Sequence, residues 1–225
     1  VCRPRGIKVI EDVAQAPKAM INDQCVGTIG DIGCYSFYPS KNLGCYGDGG
    51  AIVTNQPDLA DELKKLSDYG QSSKFNHEMI GYNSRLDTLQ AAVLNTKMPY
   101  LNDWNVARRN VAKWYHTELQ NIGVKLPTEA VGAKSVYHLF VIQIENRDAC
   151  LEYLQEKGIM AQVHYPSLIH LQPCYAHLGY GLGDFPVAEA AVSRILSLPM
   201  YPELTQEQVS VVVNALSSFL RRETA

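Results

Sequence analysis

The chain has no apolar run approaching the roughly 18–20 residues that cross a bilayer as a helix. Its opening, Val1-Cys2-Arg3-Pro4-Arg5, is not a signal peptide. It also lacks any block of Lys or Arg: 20 basic residues stand against 23 acidic ones, a formal charge of −3. Sequence-independent binding of nucleic acid requires a basic face, so neither a nucleic-acid partner nor a membrane is expected. Among Cys2, Cys25, Cys34, Cys45, Cys150 and Cys174 there is no C-x-x-C pair. A chain of 225 residues can bury a core without covalent staples, so these read as reduced thiols, mostly small core residues. Internal repeats and low-complexity linkers are absent as well. The remainder, 46% hydrophobic and 19% charged, is an ordinary globular composition, and a cytoplasmic protein of one large domain or two unequal ones is expected.

What is there is a succession of strand and helix signals. Gly6-Ile7-Lys8-Val9-Ile10 reads as a short buried strand running into Glu11 and Asp12. Residues 32–37 and 50–54 give two more strands, with a stretch crowded with Gly, Pro, Ser and Asn between them. A helix follows, with Pro57 at its first position, acids early, Lys64 and Lys65 late, and Gly70 as its stop. Ser84-Arg85-Leu86-Asp87 resembles a capping box opening another helix, with Leu86, Leu89 and Val93 at helical spacing. Over 102–120 a longer helix places Ala107, Val111, Trp114 or Tyr115, and Leu119 on one face. Beyond Gly123 come a strand at 137–144, a helix at 147–157 ended by Gly158, a loop at 164–180 rich in His, Tyr and Pro, and an amphipathic helix at 205–220. The expected organisation is α/β over residues 1–101, then a connecting helix and a smaller α+β unit over 102–225.

Chemistry concentrates near the first strands. Asp12 follows the C-terminal end of a strand, the edge where open α/β sheets bind ligands, although an N-cap reading is equally open. Gln15, three residues on, points to the same region. Ser36-Phe37-Tyr38-Pro39-Ser40-Lys41-Asn42-Leu43-Gly44 is the sharpest feature: a lysine just after a strand, in an apolar, aromatic loop whose path Pro and Gly restrict. Most lysines are solvated surface groups. One that acts as an amine nucleophile must be desolvated or lie near another cation, because its reference pKa is about 10.4. The glycines at 44, 47, 49 and 50 match neither a P-loop nor G-x-G-x-x-G. An acid at one strand end, and a serine then a lysine after the next, suit pyridoxal phosphate: a carboxylate keeps the pyridine nitrogen protonated and Lys forms the Schiff base.

At these residues the chain resembles the DegT/StrS family of nucleotide-sugar aminotransferases. The resemblance is carried by Ile10-Glu11-Asp12-Val13-Ala14-Gln15-Ala16, by residues 30–44, and by Gly47-Asp48-Gly49-Gly50-Ala51. Gly81-Tyr82-Asn83-Ser84-Arg85-Leu86-Asp87, His164-Tyr165-Pro166 and Leu198-Pro199-Met200 extend it over essentially the whole chain, in the family's order and spacing. It implies a pyridoxal-phosphate-dependent transferase of fold type I, here a partial large domain with a mostly parallel sheet plus a smaller α+β C-terminal domain. It also implies roles. Lys41 matches the Schiff-base lysine, which moves the proton between the amino acid's α-carbon and the cofactor. Asp12 matches the carboxylate facing the pyridine nitrogen, Gln15 a side chain beside the 3-oxygen, and Ser36 a hydroxyl on the phosphate. Asn83 matches an asparagine lent to the neighbouring subunit's phosphate, which implies a homodimer with shared active sites. His164 and Tyr165 match substrate contacts. The implied cycle is ping-pong, from an amino-acid donor, commonly L-glutamate, to a nucleotide-linked keto sugar, in amino-sugar or cell-surface polysaccharide biosynthesis.

Some features depart from the family. Val13 and Pro17 stand where Ala and His are common, Ser40 where Thr is common, and Leu168 where a second proline is frequent. A zinc site from His164, His170, Cys174 and His177 is disfavoured, since the spacing matches no tight pair motif, and no metal is expected. Complete members carry well over a hundred residues before the point matching Val1, including a Gly-Thr phosphate loop and an aromatic ring stacked on the cofactor. The chain therefore reads as the C-terminal part of such an enzyme, expected to bind the cofactor weakly or not at all by itself. Relatives with His in place of Lys41 are sugar dehydratases, so Lys41 favours transamination. A dehydratase and a non-catalytic remnant are the alternatives.

Overall fold

The computed structural model describes residues 1–223, which divide into two compact units. Val1–Val106 and Glu129–His138 form the first. Ala107–Thr128 and the chain from Leu139 onward form the second.

The first unit contains β1 (Ile10–Asp12), β2 (Met20–Ile21), β3 (Gln24–Cys25), β4 (Ile32–Ser36), β5 (Gly50–Val53), α1 (Pro57–Ser67), β6 (Gln71–Ser73), β7 (Asn76–His77) and α2 (Thr88–Lys97). It also holds the start of α3 (Leu101–Leu119) and, later in the chain, β8 (Ala133–Lys134). The sheet that carries Asp12 and Ser36 has the order β1-β4-β5. The expected parallel pairing holds between β1 and β4, whereas β5 returns antiparallel to β4 after the loop. A second sheet, β3-β2-β8, begins as a two-residue hairpin. Asn22 and Asp23 there adopt φ of 49° and 61°, the left-handed pair such a tight turn needs. Around the β4–β5 loop the core consists of Leu43, Cys45, Leu94 and Leu101, with Phe37, Leu86 and Val93 packed against it.

The second unit contains β9 (Phe140–Gln143), α4 (Arg147–Glu156), α5 (Pro186–Val192), β10 (Ile195–Leu198) and α6 (Gln206–Glu223). Strands β9 and β10 pair antiparallel, and the buried residues Phe140, Ile142, Leu196 and Leu198 come from them. The α3 face read from the sequence is buried at Val111, Tyr115 and Leu119, with the Tyr115 and Phe140 rings stacked at 4.8 Å. Gly158, at φ 74°, ends α4 as expected.

Several expectations need correction. The first strand is not the buried segment 6–10. It begins at Ile10, preceded by a 3₁₀ turn at Arg3–Arg5, and Ile7 and Ile10 are exposed. The capping box at 84–87 does not form: α2 starts at Thr88 with Asp87 at its N-cap making no side-chain cap bond, and Leu89 faces outward. Thr205 and Gln208 do form that reciprocal motif at the head of α6, with bonds of 3.0 and 3.3 Å. The strand expected at 137–144 shortens to β9. Only Cys45 and Cys150 are buried, so the thiols are not mostly core residues. Among the described residues no helix is long and apolar enough to cross a membrane.

Candidate active site

Parallel pairing sets Glu11 beside Gly33 and Asp12 beside Cys34. Asp12 therefore ends β1 at the edge from which β4 continues two residues further, to Ser36. This is the C-terminal edge of the parallel pair, where strand ends leave room for a ligand. Asp12 is exposed, and its Oδ1 accepts a hydrogen bond from the Ala14 amide at 3.0 Å. The chain then turns, with Val13 N–H donating to Cys34 O at 2.8 Å and Ala16 N–H to Val13 O at 3.0 Å. No helix starts here, so the N-cap reading of Asp12 falls away. Gln15 is exposed on the same turn.

Glu11 points the other way, since successive strand side chains alternate. Its carboxylate accepts from the amides of Gly27 at 2.7 Å, Ile29 at 2.7 Å and Gly30 at 2.6 Å. Burial pushes this carboxyl up, but the bonds from Gly30, Gly27 and Ile29 outweigh it and hold Glu11 below the usual carboxylate range. Segment 27–30 lies so close to β4 that a Cβ on Gly33 would stand 2.3 Å from Gly27 O. Asp31, next along, is lowered to about 2 by bonds from the Val9 amide, Gln56 and Lys8. Burial raises the Tyr35 phenol, and its hydroxyl donates to Val26 O at 2.9 Å. Two carboxylates and one phenol thus brace the strand whose neighbour ends in Asp12.

The loop after β4 carries Lys41. Its base is closed by Phe37 N–H donating to Gly49 O and Cys45 N–H to Phe37 O, at 2.7 and 2.8 Å. Lys41 N–H donates to Tyr38 O at 2.9 Å. A Cβ at Gly44 would come within 2.4 Å of Pro39 O, so the doubling-back of the loop requires glycine there. Lys97 Nζ caps Gly44 O at 2.7 Å. Asn42 and Leu43, which follow Lys41, are buried, so the backbone is anchored directly after Lys41, whose side chain is half-buried. Ser36, half-buried at the strand end, accepts from the Tyr38 amide at 3.3 Å.

Asn83 lies elsewhere on this unit. It bridges to Asp68, accepts from Arg85 Nε at 3.4 Å, and lines an open cleft of roughly 980 Å³ with Gly49, Gly50, Ser84 and Arg85. The register thus sets Asp12 and Ser36 at one strand edge, with Gln15 on the turn after Asp12 and Lys41 on the loop after Ser36, and Asn83 lies on the β5 side. His164 and Tyr165 belong to the second unit. His164 Nδ1 is 2.9 Å from the buried Ser197 Oγ, while the exposed Tyr165 lines an apolar cavity of about 1050 Å³ with Leu168, Tyr175, Tyr180 and Phe185. The disfavoured zinc candidates have other neighbours: His170 Nε2 is 3.3 Å from Glu189, and His177 Nδ1 is 3.0 Å from Cys174 O. Sequence reasoning missed Glu11 as a brace and did not single out Asn42, whose only local signal is a polar residue between Lys41 and the buried Leu43.

The residues fit pyridoxal phosphate by the chemistry of their donors. An exposed carboxylate and a hydroxyl at one strand edge, with a lysine on the loop that follows, supply an anion, a hydrogen-bond donor for a phosphate and an amine. A sequence model of the DegT/DnrJ/EryC1/StrS aminotransferase family matches residues 1–217. The chain is 44% identical over 98% of its length to a pleiotropic regulatory protein of Geobacillus stearothermophilus, covering 60% of that protein. It is 43% identical to the UDP-N-acetyl-3-dehydro-alpha-D-glucosamine 3-aminotransferase of Acidithiobacillus ferrooxidans, over 96% of this chain and 58% of that one. Among solved structures it superposes on S. venezuelae DesV with a TM-score of 0.94 and 40% identity, over 98% of this chain and 60% of that one. The chain thus spans about three-fifths of the relatives it matches, and the expected partial fold-type-I architecture is borne out.

Proposed function

Because the chain belongs to the DegT/DnrJ/EryC1/StrS aminotransferase family, we propose that it forms part of a pyridoxal-phosphate-dependent aminotransferase that aminates nucleotide-linked keto sugars. The observation that carries this reading is the β1/β4 register, with Asp12 at the strand edge toward which Ser36 and the Lys41 loop extend. When bound, pyridoxal phosphate supplies an aldehyde for amines and a ring that takes up electron density. Asp12 would hold a proton on the ring nitrogen through a carboxylate oxygen. Lys41 Nζ would engage the aldehyde carbon and carry a proton to and from the donor's α-carbon. Ser36 Oγ would donate to the phosphate, and Gln15 would border the ring oxygen.

Related proteins are named as transaminases of dTDP- and UDP-linked sugars, which supports a sugar-nucleotide acceptor. L-glutamate is the proposed amino donor. A cytoplasmic homodimer is proposed, with Asn83 reaching the neighbouring subunit's phosphate and His164 and Tyr165 contacting the sugar nucleotide. Cell-surface polysaccharide biosynthesis is the proposed setting. Residues 1–101 would belong to the cofactor-binding domain, and 102–225 to the connecting helix and small domain.

The test is borohydride capture of pyridoxal phosphate on the chain, followed by peptide mapping. Absorbance titration is expected to show weak binding, with the captured label concentrated on Lys41 and lost in Lys41→Ala. Label spread evenly over the lysines would refute the assignment. Conversion of glutamate to 2-oxoglutarate, dependent on a keto-sugar nucleotide, separates an aminotransferase from a dehydratase.

A further inference from the structure

Lys41 and Asp12 stand on different segments, and nothing in the sequence says what fixes one against the other. Within the first unit the two segments meet through side-chain amides. Asn42 Nδ2 donates to Asn105 Oδ1 at 2.9 Å and to Val136 O at 3.0 Å. Its Oδ1 lies 3.1 Å from His138 Nδ1. Asn105 Nδ2 in turn donates to Pro17 O at 3.1 Å. Asn42 and Asn105 are 5% and 7% exposed, and Pro17 opens the turn that directly follows the one carrying Gln15. The directions are fixed by donor count. With both hydrogens of the Asn42 amide given to oxygens, its own oxygen accepts, so His138 carries a proton on Nδ1.

We propose that Asn42 and Asn105 are positioning residues: a buried amide relay that sets the Lys41 loop against the Asp12–Pro17 segment. The inference rests on the cofactor reading above and adds how its amine and carboxylate come into register. Burial is what makes the relay effective. Water cannot replace either bond, and a rotated amide would set oxygen against oxygen at Val136 or Pro17. Leu43, packed in the core directly after Asn42, prevents the loop from sliding to recover the contact. Removing Asn105 leaves the Asn42 amide without one of its two acceptors and the Pro17 carbonyl without the Asn105 donor. The link between the two segments is then cut, although neither Lys41 nor Asp12 is changed. Displacements of about 1 Å between reacting groups cost up to roughly a hundredfold in rate.

The test uses the full chain with pyridoxal phosphate and borohydride, and reads labelling at Lys41 relative to Lys8 by peptide mapping. Lys8 is an internal standard, with a 72% exposed side chain paired to Asp31 outside the relay. In Asn105→Ala and Asn42→Ser, assayed where circular dichroism shows them folded, the Lys41-to-Lys8 ratio is expected to fall about tenfold or more. A residue with a purely structural role would lower the melting temperature and leave the ratio of the folded protein intact. A ratio within twofold of wild type in the folded variants overturns the relay while leaving the cofactor reading standing. A wild-type chain with no preference for Lys41 over Lys8 overturns both. Should Asn42→Ser or Asn105→Ala unfold at every temperature, the milder Asn105→Ser decides by the same ratio.

Discussion

Glu11 offers the strongest single perturbation, because one side chain satisfies three backbone amides. Hydrogen bonds to a charged acceptor contribute about 1.5–3 kcal/mol each when buried. These are part-buried, so water recovers some of the loss, and we expect Glu11→Ala to loosen segment 27–30 by about 3 kcal/mol. That corresponds to roughly hundredfold faster hydrogen exchange at the amides of Gly27, Ile29 and Gly30. Glu11→Gln keeps one acceptor oxygen but turns an NH₂ toward a backbone N–H, and should cost about 2 kcal/mol. Acidity gives an independent check. The folded carboxyl is held below its ordinary value, so its contribution is complete above the unfolded pKa of about 4.3 and is lost as pH falls below it. Protection of the three amides should therefore decline below that pH in the wild type, and Glu11→Gln should lack this component. Exchange rates that change less than threefold in Glu11→Ala, or an unaltered acid response in Glu11→Gln, would refute the reasoning.

Gly44→Ala sets a methyl against the Pro39 and Tyr38 carbonyls, both under 3 Å from an ideal Cβ, and should destabilise the first unit by about 2–3 kcal/mol in denaturant melts. An unchanged midpoint would mean that the loop is less tightly doubled than its geometry implies. In the second unit, burial raises the Tyr115 phenol above its ordinary range while its hydroxyl donates to Pro199 O at 3.0 Å. Stability attributable to that group is complete below pH of about 10 and lost as pH rises past the unfolded tyrosine value. Tyr115→Phe should cost about 1–2 kcal/mol at neutral pH and flatten the alkaline decline, measured by thermal melts across pH.

Legibility followed the range of the interactions. The helices at Pro57 and before Gly158 were readable because their signals are local: proline where an N–H is spare, glycine where φ must be positive. The Lys41 loop was readable for the same reason, its composition standing out within a dozen residues. Reading the first strand at 6–10 assumed that an apolar run is a buried run. Ile7 and Ile10 are 51% and 68% exposed, so the assumption placed the strand too early. The hairpin at Asn22-Asp23 was missed because its strands are two residues long, too short for any periodicity. The relay could not have been read at all. Asn42, Asn105 and the pair Val136 and His138 are far apart in sequence, and asparagine beside a turn ordinarily signals only the turn.

The adjacent acids of β1 show how structure assigns roles that composition leaves open. Burial along the strand alternates, with Ile10 and Asp12 outward and Glu11 inward, and Glu11 gathers three backbone amides of segment 27–30 while Asp12 accepts only from the nearby Ala14 amide. A one-residue slip of β1 against β4 would reverse this: the Asp12 carboxylate would turn toward segment 27–30 and Glu11 toward the strand edge. A shorter acid there could not span to the Gly27, Ile29 and Gly30 amides together, so the three bonds are available in one register only. Glu11 therefore does more than brace a loop. By making the alternative pairing costly, it determines which face of the sheet edge carries the exposed Asp12 carboxylate, the group that would meet a ring nitrogen under the proposed function.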